Sequence, residues 1–176
     1  IPSFDHYNVI AGQATVAKEL IEEVEGLEVI MSPIGGGGLM SGTALSTHYL
    51  LPNASIIGAE PELVDEAYRS FKTGIKQVNN GTKSIADGLL TNVSDKTFEI
   101  ITKYVHDIIT VSEQEIVDAM RLIWERMKII VEPSSAVTLA ALIRDKEHFE
   151  NQKVGIIISG GNVDLGNLPF KALTNF

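Results

Sequence analysis

The stretch Val29-Ile30-Met31-Ser32-Pro33-Ile34-Gly35-Gly36-Gly37-Gly38-Leu39 decides how the chain is read. The apolar run between Gly26 and Pro33 is too short for a helix, so Glu28 to Ser32 reads as a buried strand. Four glycines follow it directly. Leu39 to Leu50 can then be helical, with Leu45 and Tyr49 on one face and Pro52-Asn53 closing it. A second short run, Ser55 to Ala59, completes strand, loop, helix, strand, which is a βαβ unit.

Outward from this unit the same alternation continues. Ile10, Ala14, Ala17, Leu20, Ile21 and Val24 recur at three and four, the period of an amphipathic helix, and Gly26 stops it. Val64 to Thr73 reads as a further helix, Gly74 to Ala86 as a polar excursion, and Lys96 to Tyr104 as a short helix. Ser112-x-x-Glu115 makes a capping box, with Val111 and Ile116 at the staple positions, so a helix starts there and Asp107 to Val111 is the strand feeding it. Pro133 suits the first turn of a helix through Leu142, and Lys153 to Ile158 is a β-branched strand ending at Ser159-Gly160-Gly161-Asn162. Strands apolar on both faces and alternating with helices imply an α/β fold: an open, mostly parallel twisted sheet with helices on both faces.

The 176 residues, 44% of them hydrophobic, suffice for the core of one domain, and no linker splits them. No apolar run is long enough to span a bilayer as a helix, and no signal segment opens the chain. With no cysteine there is no disulfide framework or thiolate metal site, which agrees with a reducing, cytoplasmic setting. The net charge of −9 and the scattered basic residues argue against nucleic-acid binding, and no membrane partner is expected. The chain opens on Ile1-Pro2-Ser3-Phe4-Asp5 rather than Met, which reads as a loop entered from upstream, and hence as a fragment or processed chain.

In open parallel sheets, ligands sit beyond the carboxyl ends of strands, where loops lead into helix N-termini with free N–H groups. Gly35 to Gly38 occupy such a place, and residues without Cβ let successive amides cradle a phosphate. No Gly-Lys-Ser/Thr follows and the G-x-G-x-x-G spacing fails, so a nucleotide triphosphate is disfavoured. The alternative is a flexible turn. Ser159-Gly160-Gly161-Asn162 places a hydroxyl beyond the last strand, where it can meet a ligand heteroatom; taken alone it also reads as a cap or an Asn-bearing turn. The histidines His6, His48, His106 and His148 show no metal spacing and read as surface or capping residues.

Six motifs occur in order: Ser32 to Leu39, Ala59-Glu60-Pro61, Ala86-Asp87-Gly88, Trp124-Glu125-Arg126-Met127-Lys128, Val131-Glu132-Pro133 and Ser159 to Asn162. Together with the opening Val9-Ile10-Ala11-Gly12-Gln13, the chain resembles the serine racemase and threonine dehydratase family as far as about Leu165. The resemblance implies a fold-type II, tryptophan synthase β-like large domain binding pyridoxal 5'-phosphate. Gly35, Gly36, Gly37, Gly38 and Leu39 would take the phosphate, Ser159 would meet the pyridine nitrogen, and Gly88 and Glu132 would complete the cofactor site. A hydroxyl does not hold that nitrogen protonated as a carboxylate would, which favours prompt loss of a β-leaving group, as in dehydration of serine or threonine.

The resemblance also implies a divalent-cation site at Glu60, the Val64 carbonyl and Glu66, whose oxygens suit Mg2+ or Ca2+. Without it, Glu60, Glu62, Asp65 and Glu66 read as a solvated acidic helix start. In the racemase branch a nucleotide effector would meet Lys128 and Asn162, although Lys128 also reads as a helix C-terminal cation. The family is usually dimeric, so a homodimer is expected of the full-length protein. Its Schiff-base lysine belongs to a Ser-Phe-Lys type motif well before the region this chain covers, and Ser70-Phe71-Lys72, inside the helix read from Val64 to Thr73, does not stand at that place. The small domain is missing too, so no catalytic residue is assigned here and the chain alone should be inactive. A non-catalytic α/β module binding a phosphorylated ligand is the competing reading.

Overall fold

The computed structural model describes residues 2–79, 81 and 83–170. Six helices and four strands alternate along it: α1 (Tyr7–Glu23), β1 (Val29–Pro33), α2 (Gly38–Leu50), β2 (Ser55–Pro61), α3 (Glu66–Thr73), α4 (Asp95–Tyr104), β3 (Asp107–Val111), α5 (Glu113–Met127), α6 (Pro133–Arg144) and β4 (Val154–Ile156). The strands form one sheet in the order β3-β2-β1-β4, every neighbouring pair parallel. This is the α/β architecture expected.

Alternation along the strands assigns the two faces, because successive side chains point to opposite sides. Ile30 packs with Leu20, Ile21, Val24 and Leu39, and Ile56 and Ile108 pack with Ile34, Met40 and Ala44, so α1 and α2 cover one face. Val29, Met31 and Ile57 pack with Leu142 and Phe149, and Ala59 and Val111 with the apolar stripe of α5 and with α6. α1 and α2 cross closely: a Cβ on Gly42 would meet the Ala14 nitrogen at 2.5 Å and the Ile10 carbonyl oxygen at 2.7 Å. Ser46 Oγ donates to the Ala14 carbonyl at 2.6 Å in the same contact. The first turns of α2 are thereby fixed against α1.

Local signals account for most boundaries. Ser112 and Glu115 form the expected capping box, with Glu115 accepting from the Ser112 amide at 2.7 Å. A second box, Ser94 with Thr97, starts α4. Two expectations need correction. The helix expected from Val64 begins as a 3-10 turn, Glu62–Val64, and becomes α-helical only at Glu66, because the Ala67 and Tyr68 amides are taken by the Glu60 carboxylate. β4 is shorter than the run Lys153 to Ile158, because the next donor position on its only neighbour in the sheet, β1, is Pro33, which has no N–H to extend the ladder. One bond persists past its end, from the Ile157 amide to the Met31 carbonyl at 2.9 Å. The excursion from Gly74 to Ala86 contains no helix or strand among its described residues; Asn80 and Thr82 lie outside them, as does Ile1. No described helix is long and apolar enough to cross a membrane.

Candidate functional site

From β1 the chain moves outward to β2 and then β3, whereas β4 joins the opposite edge of β1. The loops leaving β1 and β4 therefore diverge and open a crevice, the switch point where parallel α/β sheets bind ligands. The loop after β1 holds the four glycines and the segment after β4 holds Ser159. A cavity of about 300 Å³ lies between them, lined by Gly35, Gly36, Gly37, Gly38, Leu39, Gly88, Glu132 and Ser159. All eight residues expected to hold a cofactor thus meet in one place.

The glycine loop is tightly framed, not a flexible turn. Gly37 sits at φ +85°, the left-handed region that favours glycine, and caps α2. A Cβ there would also meet Thr97 Cβ at 2.8 Å, while one on Gly35 would meet Leu89 Cα at 3.0 Å and the Gly88 carbonyl oxygen at 3.1 Å. On Gly36 it would strike the Phe4 ring at 2.5 Å, and on Gly38 the Phe4 Cβ at 2.9 Å. Thr97 Oγ1 donates to the Gly36 carbonyl at 2.9 Å. The first intrahelical bond of α2 runs from Ser41 to Gly37, which leaves the amides of Gly38, Leu39 and Met40 without an acceptor in the helix. Those amides and the positive end of the helix dipole form an anion-seeking end beside the cavity.

The opposite wall is organised by the start of α6. Glu132 precedes Pro133 at the helix entrance, and its Oε2 accepts from the Asn162 amide at 2.8 Å. The Glu132 amide donates to the Gly160 carbonyl at 3.2 Å. Ser134 Oγ accepts from the Gly88 amide at 3.0 Å, which holds Gly88 in the wall. Ser135 Oγ donates to the Gly160 carbonyl and accepts from the Gly160 amide, both at 2.6 Å, and lies 3.3 Å from Ser159 Oγ.

At the end of β2 the acidic turn proves half buried. Glu62 is exposed, as a solvated helix start would be, but Glu60 and Glu66 are each only 1% exposed. The Glu60 oxygens accept from Ala67 at 3.0 Å and Tyr68 at 2.8 Å, and Glu66 Oε1 accepts from Val93 at 2.8 Å. Glu66 Oε2 is buried without a protein partner. Burial pushes Glu60 up to about 8 and Glu66 up to about 7, against the lowering effect of the backbone amides. Two carboxylates and the nearby Val64 carbonyl are a hard-oxygen set that suits Mg2+ or Ca2+, and the orphaned Oε2 is an open valence for one. Among the described residues no three His, Cys, Asp or Glu side chains gather as metal ligands, so water would have to complete the shell.

Lys128 and Asn162 are not brought together in one cavity. Asn162 lines a second cavity, of about 420 Å³, which Lys128 does not line; Lys128 ends α5 at φ +59°. Of the histidines, His6 caps α1 through Nδ1, and His106 Nδ1 accepts from the Ile56 amide at 2.9 Å. Sequence reasoning missed Phe4, Thr97, Ser134 and Ser135. The box Ser94-x-x-Thr97 and the two serines opening α6 were the available signals; nothing in sequence pointed from Phe4 to a glycine loop more than thirty positions away.

Comparison with known proteins places this geometry. Residues 1–160 match the family described as pyridoxal-phosphate dependent enzyme. The chain is 51% identical to β-hydroxyaspartate dehydratase of Paracoccus denitrificans, covering 92% of this chain and 51% of that protein. It is likewise 51% identical to serine racemase of Dictyostelium discoideum, covering 96% and 53%. The crystal structure of T.th. threonine deaminase superposes with a TM-score of 0.88 at 36% identity, covering 92% of this chain and 61% of that one. The chain spans about half the length of the curated relatives it matches. It belongs to the pyridoxal-phosphate dependent enzymes of fold-type II, among which serine racemase, threonine deaminase and hydroxyaspartate dehydratase are its homologues.

Proposed function

We propose that this chain supplies the phosphate and ring-nitrogen site of an enzyme that dehydrates and deaminates L-serine or L-threonine to a 2-oxo acid and ammonia, with serine racemisation as a second outcome. The convergence of Gly35 to Leu39, Gly88, Glu132 and Ser159 on one switch-point cavity is the observation that carries the reading. Pyridoxal 5'-phosphate, when bound, supplies an electron-withdrawing ring that acidifies the substrate α-carbon and eases loss of a β-substituent. The loop from Gly35 to Leu39, with the free amides at the start of α2, would hold its phosphate, and the Ser159 hydroxyl would meet its nitrogen. Glu132 keeps the Ser159 turn in place through the Asn162 amide. Serine, threonine and 3-hydroxyaspartate, named for the relatives, all carry a hydroxyl one carbon from the amino-bearing carbon, which defines the substrate class.

In this reading the chain is a large-domain portion, and the lysine that engages the cofactor's aldehyde, with the small domain, belongs to the remainder of a longer, dimeric, cytoplasmic polypeptide. Glu60, Val64 and Glu66 would hold Mg2+ or Ca2+, and Lys128 and Asn162 would serve a nucleotide effector near the dimer interface. The competing reading, a non-catalytic module for a phosphorylated ligand, draws on one observation: no lysine lines the cavity among the described residues.

The complete polypeptide, titrated with pyridoxal 5'-phosphate, should develop visible absorption and release a 2-oxo acid from serine or threonine. A protein that stays colourless overturns the reading. One that binds inorganic phosphate yet never takes up the cofactor establishes the binding module instead.

A further inference from the structure

The start of α6 handles the cavity's hydroxyls in a way the functional reading does not use. Ser135 is fully buried, and its Oγ lies 2.6 Å from both the amide nitrogen and the carbonyl oxygen of Gly160. Two oxygens at 2.6 Å need a proton between them, and the carbonyl has none, so the single Ser135 proton is committed to the Gly160 carbonyl. The Gly160 amide fills one Ser135 lone pair in return. Both polar groups of Gly160 are thus clasped by one side chain, and Gly160 immediately follows Ser159.

The clasp determines what Ser159 can offer. Ser159 Oγ lies 3.3 Å from Ser135 Oγ, and since the Ser135 proton is spent, only Ser159 could donate across that gap. At 3.3 Å the contact is long beside the normal O–H···O range of about 2.5–3.0 Å, so it holds the Ser159 proton only weakly and a better acceptor in the cavity can take it. We infer that Ser135 is a positioning residue for cofactor electronics: it locks the Ser159-Gly160 peptide while leaving Ser159 its own proton to donate to a heteroaromatic nitrogen in the cavity. The inference rests on the pyridoxal-phosphate reading of the cavity.

Thr138, one turn further along α6, provides an internal control. Its Oγ1 lies 3.1 Å from the Ser135 carbonyl in its own helix and 3.2 Å from the Ile157 carbonyl, so it shares its proton with the same segment while touching neither the Ser135 hydroxyl nor Ser159 or Gly160.

The test is spectroscopic and uses the complete cofactor-loaded polypeptide. Ser135→Ala should shift the visible band of the bound cofactor and weaken cofactor affinity roughly tenfold, the equivalent of one lost hydrogen bond. Ser159→Ala should shift the band in the same direction, and adding Ser135→Ala to it should bring no further shift, because one residue acts through the other. Ser135→Thr, which keeps the hydroxyl, should restore the wild-type band, and Thr138→Val should lower Tm while leaving the band in place. In the cofactor-free protein the Gly160 amide should exchange with solvent faster in Ser135→Ala than in wild type. If wild type takes up no cofactor, the functional reading falls and this inference with it. If wild type binds but Ser135→Ala leaves the band unmoved, or the two alanine shifts add, the inference alone is overturned.

Discussion

Two clusters sit beyond the carboxyl ends of the same parallel sheet and are built from opposite materials. The cavity between β1 and β4 is framed by glycines, hydroxyls and one carboxylate, Glu132, already engaged by the Asn162 amide, and protein neighbours crowd each of the four glycines. The acidic turn after β2 is framed by two buried carboxylates, one accepting the amides of the first turn of α3 and the other that of Val93. One cluster is defined by the space it leaves and the other by the charges it buries, so they should fail differently. Volume should damage the first, and loss of an acceptor or a change of pH the second.

The largest effect is expected from Glu60→Ala. It orphans the Ala67 and Tyr68 amides in a buried setting, where each unsatisfied group costs about 1–3 kcal/mol. Urea unfolding should show a loss of about 3 kcal/mol or more, with Glu60→Gln intermediate because it keeps one acceptor oxygen. An alanine variant as stable as wild type would break the contrast, leaving Glu60 a bystander.

These two clusters also differ in what the sequence disclosed. The glycine loop was legible because four residues without side chains after an apolar run have few structural uses, and the ordered motifs around it named a cofactor. The strand order placed Ser159 beside it, as parallel α/β topology requires. The acidic turn was misread in its local form because Glu60, Glu62, Asp65 and Glu66 look alike in one dimension, while only tertiary packing separates the buried pair from the exposed Glu62. Ser135 was silent for a similar reason: its partner Gly160 lies 25 positions away, so no local pattern links the clasp. The shortness of β4 follows from its pairing with β1, where Pro33 offers no N–H, a register that composition does not encode.

Gly37→Ala should come next and act by geometry. A side chain at φ +85° is strained, and the new Cβ would press on Thr97, so a loss of about 1–2 kcal/mol in stability is expected, with weaker cofactor uptake. The loss should be the same at every pH, which distinguishes this cluster from the acidic one. A strong pH dependence of that difference would blur the two.

Titration of the acidic turn gives a third test. Glu60 and Glu66 are raised from 4.5 to about 8 and about 7, so the folded chain holds protons that the unfolded chain has released. Their contribution is fully present below about pH 4.5 and is lost as pH rises toward 7 and 8. With divalent cations removed, Tm should therefore fall across that window, and Glu66→Gln should flatten the fall. Millimolar Mg2+ or Ca2+ should restore Tm mainly at the alkaline end, where both carboxylates are ionised and can ligate. A cation with no effect at pH 8 would remove the metal reading while leaving the buried pair intact.

The smallest effect is expected at Gly36, and it sharpens the comparison most. A Cβ there meets the Phe4 ring first, whereas one at Gly35 meets the backbone of Gly88 and Leu89. A ring can swing aside and backbone cannot. Gly36→Ala should thus cost less stability than Gly35→Ala and lower cofactor affinity only modestly, with Phe4→Ala in the same chain recovering most of the loss. The recovery is specific: Phe4→Ala should do nothing for Gly35→Ala. If it rescues both equally, the loop yields as a unit and the residue-by-residue framing of the phosphate end gives way to a softer cradle. If it rescues neither, the ring is not the obstacle at Gly36, and the loss arises within the loop itself rather than from the segment preceding α1.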